Sequence, residues 1–223
     1  MEASNGIVSY CDPLTLKSYE EQKTHDWPER GKHIISHYNE NFIIVYQAYS
    51  STIANPAALH QDFTTQNPSF QPLRMTWIKP NFLWMMYRSG WATKPNQEHI
   101  LAVYLRREWF ESILSQAVLT NQTAKKCKSS NVVVQWDPDH RPNGSKTTRR
   151  AIQIGLRKEA SQAYAQGIYG PAILKIEDIT DYVREVRNAT QEGKTGIDFL
   201  MKIEKEYEVS AELRLSLGMD IDD

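Results

Sequence analysis

Two cysteines in 223 residues, Cys11 and Cys127, stand far apart, and neither belongs to a Cys-x-x-Cys pair. That usage supports no disulfide framework, and both read as reduced structural thiols. Long hydrophobic runs are missing too. Runs such as residues 43–45 and 82–86 fall far short of the roughly 20 residues needed to cross a bilayer. Residues 1–13 lack a basic stretch followed by an apolar one, so no secretory leader is expected and the protein is assigned to the cell interior, cytoplasm or nucleus. Charge of one sign is not in excess. Lys and Arg number 26 against 27 Asp and Glu, a net charge of −1 that sets up no overall field to draw in nucleic acid. The chain also lacks a glycine-rich phosphate loop ending in Lys-Ser/Thr and the closely spaced glycines of a dinucleotide fingerprint. No Gly-x-Ser-x-Gly elbow marks a nucleophilic serine. Of six histidines only His33 and His37 have i,i+4 spacing, without the intervening Glu of a metalloprotease helix. No metal site is expected.

What is present suits a folded domain. Hydrophobic residues make up 40% of the chain, charged residues 24%, and mean hydropathy is −0.57, enough for a core under a solvated surface. Residues 1–38 mix polar and turn residues without a sustained apolar period and read as a loosely packed extended arm, and residues 39–223 as one α+β domain. In the strand expected at 42–49, Phe42, Ile44, Tyr46 and Ala48 share one face and Ile43, Val45, Gln47 and Tyr49 the other. A short helix follows to residue 61, then a strand at 74–79. Next comes a helix opened by Pro80 and stopped by Gly90. Further strands are expected at 100–105, 131–137, 150–156 and 172–176, with a turn-rich loop at 138–145. Helices are expected at 107–118, from 157 to 169, after Thr180 or Asp181, and over 196–207. Phe82, Met85, Ile100, Val103, Phe110, Leu114, Val132, Val134, Ile152 and Ile154 occupy apolar stripes or strand faces and are assigned to the core. Strands and short helices without regular βαβα alternation point to α+β rather than a doubly wound parallel sheet.

Several long words rich in Trp and Met carry a family resemblance. They are Tyr46-Gln47-Ala48-Tyr49, Arg74 through Pro80, Phe82 through Trp91, Gln135-Trp136-Asp137-Pro138, and Ile152 through Leu156. On these words the chain resembles the domain-of-unknown-function family 4291 from about residue 41 to 180. The layout is also similar to that of the ADP-ribosyltransferase superfamily. That likeness implies a split, mixed or antiparallel sheet with short packed helices, NAD as cofactor, and a polar or aromatic residue of the first strand, Tyr46 or Gln47, against the cofactor. Where the superfamily carries a strand glutamate, residues 150–156 offer Gln153, which has no carboxylate to stabilise an oxocarbenium ion. Asp137 is the available carboxylate.

The candidate site gathers polar and aromatic residues expected where strands meet loops. Gln47 and Tyr49 position a cofactor, Arg74 or Arg88 forms forked bonds to its pyrophosphate, and Lys79 adds a cation. Trp77, Tyr87, Trp91 and Trp136 offer rings for stacking, Tyr46 is the alternative to Gln47 on the first strand, and Asp137 and Gln153 are the candidate catalytic pair. Gln47, Tyr49, Arg74, Arg88 and Gln153 are expected to converge on one cleft. A second basic set, Lys125, Lys126, Lys128, Arg141, Lys146, Arg149, Arg150, Arg157 and Lys158, flanks the strand at 131–137 and suits either a solvated surface or a phosphate-binding face. Two readings follow: an NAD-dependent transferase moving ADP-ribose to nucleic acid or protein, and a non-enzymatic nucleotide- or RNA-binding module. A carboxylate directed at the ribose separates them. A purely structural interaction protein would have no polar cleft.

Overall fold

The computed structural model describes residues 16–122, 124–191 and 200–219. The chain opens with β1 (Leu16–Ser18), α1 (Tyr19–His25), β2 (Gly31–Lys32) and β3 (Ile35–Ser36). The central run is β4 (Phe42–Tyr49), α2 (Ser51–His60), β5 (Thr76–Ile78), α3 (Phe82–Ser89), β6 (His99–Arg106) and α4 (Arg107–Ser115). Then come β7 (Val118–Leu119), α5 (Ala124–Ser129), β8 (Val132–His140), β9 (Lys146–Leu156), α6 (Lys158–Ala165), β10 (Ile173–Asp178) and α7 (Thr180–Gln191). After residue 199 follow β11 (Leu200–Lys202), β12 (Lys205–Glu206) and α8 (Ala211–Ser216). The architecture is mixed α+β, with several small sheets and short helices. No described helix is long and apolar enough to cross a membrane.

A three-stranded antiparallel sheet of order β10-β6-β4 divides two cores. Strand alternation sends successive side chains to opposite faces. Ile43 and Val45 of β4, with Leu101, Val103 and Leu105 of β6, enter the first core. There they meet Phe110 and Leu114 of α4, Tyr164 of α6, and the inner face of the larger sheet, Val132, Val134, Ile152 and Ile154. Phe42, Ile44 and Tyr46, with Ile100, Ala102 and Tyr104, enter the second core against Phe82, Leu83, Met85 and Met86 of α3 and Val183 of α7. All ten side chains assigned to the core from patterning are buried. The larger sheet runs β2-β9-β8-β7, with β5 also on β9. It is mixed, since β2 and β7 pair in parallel and β5 and β8 in antiparallel fashion. The two sheets meet where Tyr46 N–H donates to the Lys79 carbonyl at 2.7 Å and Lys79 N–H to the Tyr46 carbonyl at 3.3 Å.

Helix α3 shows how local chemistry sets its bounds. The Asn81 side chain accepts from Trp84 N–H at 2.6 Å, and the buried Glu204 carboxyl accepts from Phe82 N–H at 2.9 Å, so two of the otherwise unbonded first-turn donors are satisfied. Pro80 therefore precedes the cap rather than opening the helix. Gly90 ends it at φ +61, a left-handed conformation that costs glycine little.

Four further expectations are corrected. Residues 16–38 of the arm are not loosely packed: Trp27, Ile34 and Ile35 are buried, β1 pairs with β11, and β3 with β12. Trp27 Nε1 donates to the Glu204 carbonyl at 2.8 Å, and the Gln22 side chain bridges to the backbone of Lys202 and Glu204. Residues 1–15 of the arm, with Cys11, lie outside the described residues. The helix expected over 196–207 gives way, from residue 200 onward, to the short strands β11 and β12, and residues 196–199 lie outside the described residues. The loop expected from 138 begins only after His140, because β8 carries Pro138 at an irregularity in its pairing with β9, a position where the missing N–H is tolerated. The helix from 107 ends at Ser115, and Val118 belongs to β7.

Candidate binding cleft

The junction of the two sheets builds the site. Gln47 leaves β4 on the first-core side and is 3% exposed. Its amide nitrogen donates to Thr76 Oγ1 at 2.9 Å and to the Trp77 carbonyl at 3.0 Å, and its oxygen accepts from the Tyr164 hydroxyl at 2.6 Å. This residue ties β4, β5 and α6 together. Two positions on, the Tyr49 hydroxyl lies 3.3 Å from the same Thr76 oxygen. Burial pushes that hydroxyl up to about 12, so Tyr49 is a neutral phenol.

The opposite face of β5 carries Trp77, and Lys79 follows just past the end of the strand. Gly155 of β9 makes room for the indole: a Cβ there would lie 2.9 Å from a Val133 methyl and 3.1 Å from the Trp77 ring. Lys79 is 9% exposed. Its amine donates to the Trp77 carbonyl at 3.0 Å and sits 5.5 Å from the Trp84 ring centroid. Burial, helped by the neighbouring Arg88 cation and opposed by Asp137, brings the amine down to about 7. Asp137 itself is engaged, accepting from the Gln135 amide at 2.8 Å and the Gln153 amide at 2.5 Å.

Around these groups lies a hollow of about 200 Å³, lined by Gln47, Ala48, Tyr49, Met75, Thr76, Trp77, Lys79, Met85, Arg88 and Gln97. Arg88 reaches Gln97 Oε1 at 3.3 Å. A second hollow of about 200 Å³, lined by Ile53, Ser69, Phe70, Gln71 and Arg74, shares Tyr49, Met75 and Thr76 with the first. Among the described residues no aspartate or glutamate lines either one.

The expected convergence is thus partial. Gln47, Tyr49, Lys79 and Arg88 meet in one hollow, and Arg74 lies in the adjoining one. Gln153 lines neither and is bound to Asp137. Tyr46, fully buried, points into the second core by strand alternation, away from Gln47. Tyr87 is exposed and stacks on His140, ring centroids 3.5 Å apart. Trp91 donates its indole N–H to the Pro142 carbonyl at 3.3 Å. These three aromatics lie outside the hollows. Met75, Thr76 and Gln97 were missed. Thr76 was signalled by its alternation with Trp77, whereas Gln97 sits in a connecting loop with no local cue.

The second basic set is partly committed to structure. Arg149 is buried and paired with Asp139, Arg157 donates to the carbonyls of Cys127 and Ser130, and Lys158 to that of Ser129. His33 and His37 bind Glu206 and the Ile203 carbonyl respectively. No group of residues suited to a metal ion occurs among the described residues.

A family model described as "Domain of unknown function (DUF4291)" matches residues 33–207, a span that contains every residue lining the two hollows. The chain belongs to the DUF4291 family. The DUF4291 match starts at His33, inside the segment expected as an arm, and ends at Tyr207, so it takes in β3 and its partner β12. No curated protein matches the chain in sequence.

Proposed function

We propose that the two adjoining hollows form one binding site for a phosphate-bearing nucleotide, and that the protein works as a nucleotide- or RNA-binding module. The observation that carries this reading is the lining: Arg88 and Lys79 in one hollow, Arg74 and Phe70 in the other, Tyr49 shared by both, and no carboxylate among the described lining residues. Exposed guanidinium groups beside a hollow attract an anion and match phosphate oxygens with forked bonds. The aromatic pair gives a base or nicotinamide ring a face to stack on.

Transfer of ADP-ribose from NAD needs in addition a carboxylate at the ribose. Asp137, the carboxylate that acts on Lys79, accepts from Gln135 and Gln153. That engagement favours holding a ligand over transferring part of it. NAD thus stands among the ligands to test, beside ATP, ADP-ribose and short RNA.

Thermal unfolding with each compound is the test. A ligand present at about 100 times its dissociation constant raises stability by about 2.7 kcal/mol. Arg74→Ala and Arg88→Ala should abolish the shift while leaving the unliganded midpoint in place, because both side chains are exposed. Absence of any shift, or equal shifts in the arginine variants, refutes the reading. Release of nicotinamide from NAD would move the assignment from binding to transfer.

A further inference from the structure

Resting on the reading that this hollow admits a phosphate-bearing compound, we propose that Lys79 captures the aldehyde carbon of a phosphorylated carbonyl compound as an imine, with Arg88 holding the phosphate. Lysine is rarely buried without a partner, and here nearly the whole side chain is covered. A buried ammonium calls for a carboxylate at ion-pair distance. Among the described residues Lys79 has none, and its amine has one conventional acceptor, the Trp77 carbonyl, for three possible N–H donors. The Trp84 ring face is its other neighbour. The backbone at Lys79 is pinned to β4 by a reciprocal pair of hydrogen bonds with Tyr46, so the stem starts from a fixed point. Arg88 lines the same hollow.

Dehydration and an adjacent permanent cation are the two conditions that turn a lysine from a charge into a nucleophile. Both act here, and they draw the amine down to about 7. Arginine stays charged under the same conditions, which divides the labour: Arg88 binds the anion and Lys79 supplies the lone pair. The nitrogen attacks the carbonyl carbon, and the C=O bonding pair moves to oxygen. The two amine protons leave with that oxygen as water, giving C=N without any oxidant or reductant.

Reductive trapping tests this on the wild-type chain. Pyridoxal 5′-phosphate serves as probe, with borohydride supplying hydride to fix the imine as a secondary amine, and peptide mass mapping locates it. The expected result is one dominant adduct, on Lys79, suppressed by ATP. Pyridoxal without its phosphate should label Lys79 at least about tenfold less, since a charge-assisted contact is lost. Arg88→Ala should bring the two probes level. Adducts spread over the exposed lysines without preference for Lys79 overturn the proposal, and an ATP-induced thermal shift in the same preparation would show that nucleotide binding survives it. Equal labelling of Lys79 by both probes in the wild type overturns the assignment of a phosphorylated compound.

Discussion

Replacing Lys79 by methionine should change the pH dependence of stability. The amine titrates at about 7 in the fold, against 10.5 for an unperturbed lysine. Below the lower value both folded and unfolded chains carry the proton, and the fold bears the whole cost of a buried cation. Above the upper value both are neutral and the cost vanishes. Between the two the unfolded chain binds more protons, so this group makes stability rise with pH. With these two values the cost falls by about 3 kcal/mol between pH 6.5 and pH 9.5, a gain in stability from one side chain. Methionine has no proton to bind and fills a similar volume. Urea unfolding followed by tryptophan fluorescence at both pH values gives the comparison. Tyr49, His140 and every other titrating group occur in both proteins and cancel in the difference. The wild type should gain about 3 kcal/mol more than the variant on going from pH 6.5 to 9.5, and the variant should be the more stable at pH 6.5. Parallel profiles would mean that the amine is hydrated or ion-paired in solution, and would remove the basis for treating Lys79 as a nucleophile.

Two further substitutions test the packing. Phe110→Ala empties a fully buried position in the first core and should cost about 3–5 kcal/mol in denaturant unfolding. An unchanged midpoint would contradict the packing of α4. Asp139→Ala leaves the Arg149 guanidinium buried without its partner, to which it now donates from Nε and Nη2. This should cost about 3–5 kcal/mol, while Glu20→Ala, which breaks the exposed pair with Lys23, should cost less than about 1 kcal/mol. Similar losses in the two variants would show that the Asp139 pair is open to water.

The parts of the fold that were legible are those whose signal is local. Period-two alternation at residues 42–49 and the apolar run at 100–105 name the two strands, whose two apolar faces enter separate cores in the fold. The strands β11 and β12 were missed because each exists through a partner at the other end of the chain: Leu16 pairs with Lys202, and Ser36 with Lys205. Neither three nor two residues carry a period, and the apolar residues of 197–203 suit a helix face as well as a strand. The same pairings explain the arm. Its apolar residues, Trp27, Ile34 and Ile35, are too widely spaced to show a stripe, and they become core only when the C-terminal segment closes over them.

The site was legible as an inventory and less so as chemistry, and the reason is physical. Polar side chains on a strand face look alike in sequence whether they satisfy one another or await a ligand. Gln47, Gln135, Asp137 and Gln153 satisfy one another or nearby groups. Both amide hydrogens of Gln47 and its carbonyl oxygen have protein partners, and each oxygen of Asp137 accepts from a glutamine. What separates a binding group from a structural one is capacity left over after folding. Arg74 and Arg88 retain it as exposed cations beside the hollows. Lys79 retains it as a buried amine with more donors than acceptors. A buried polar group left incompletely paired costs free energy in the absence of a ligand. Its persistence at the wall of a hollow is therefore explained by what it does when the hollow is filled, whereas the saturated amide of Gln47 is explained by the three elements it joins.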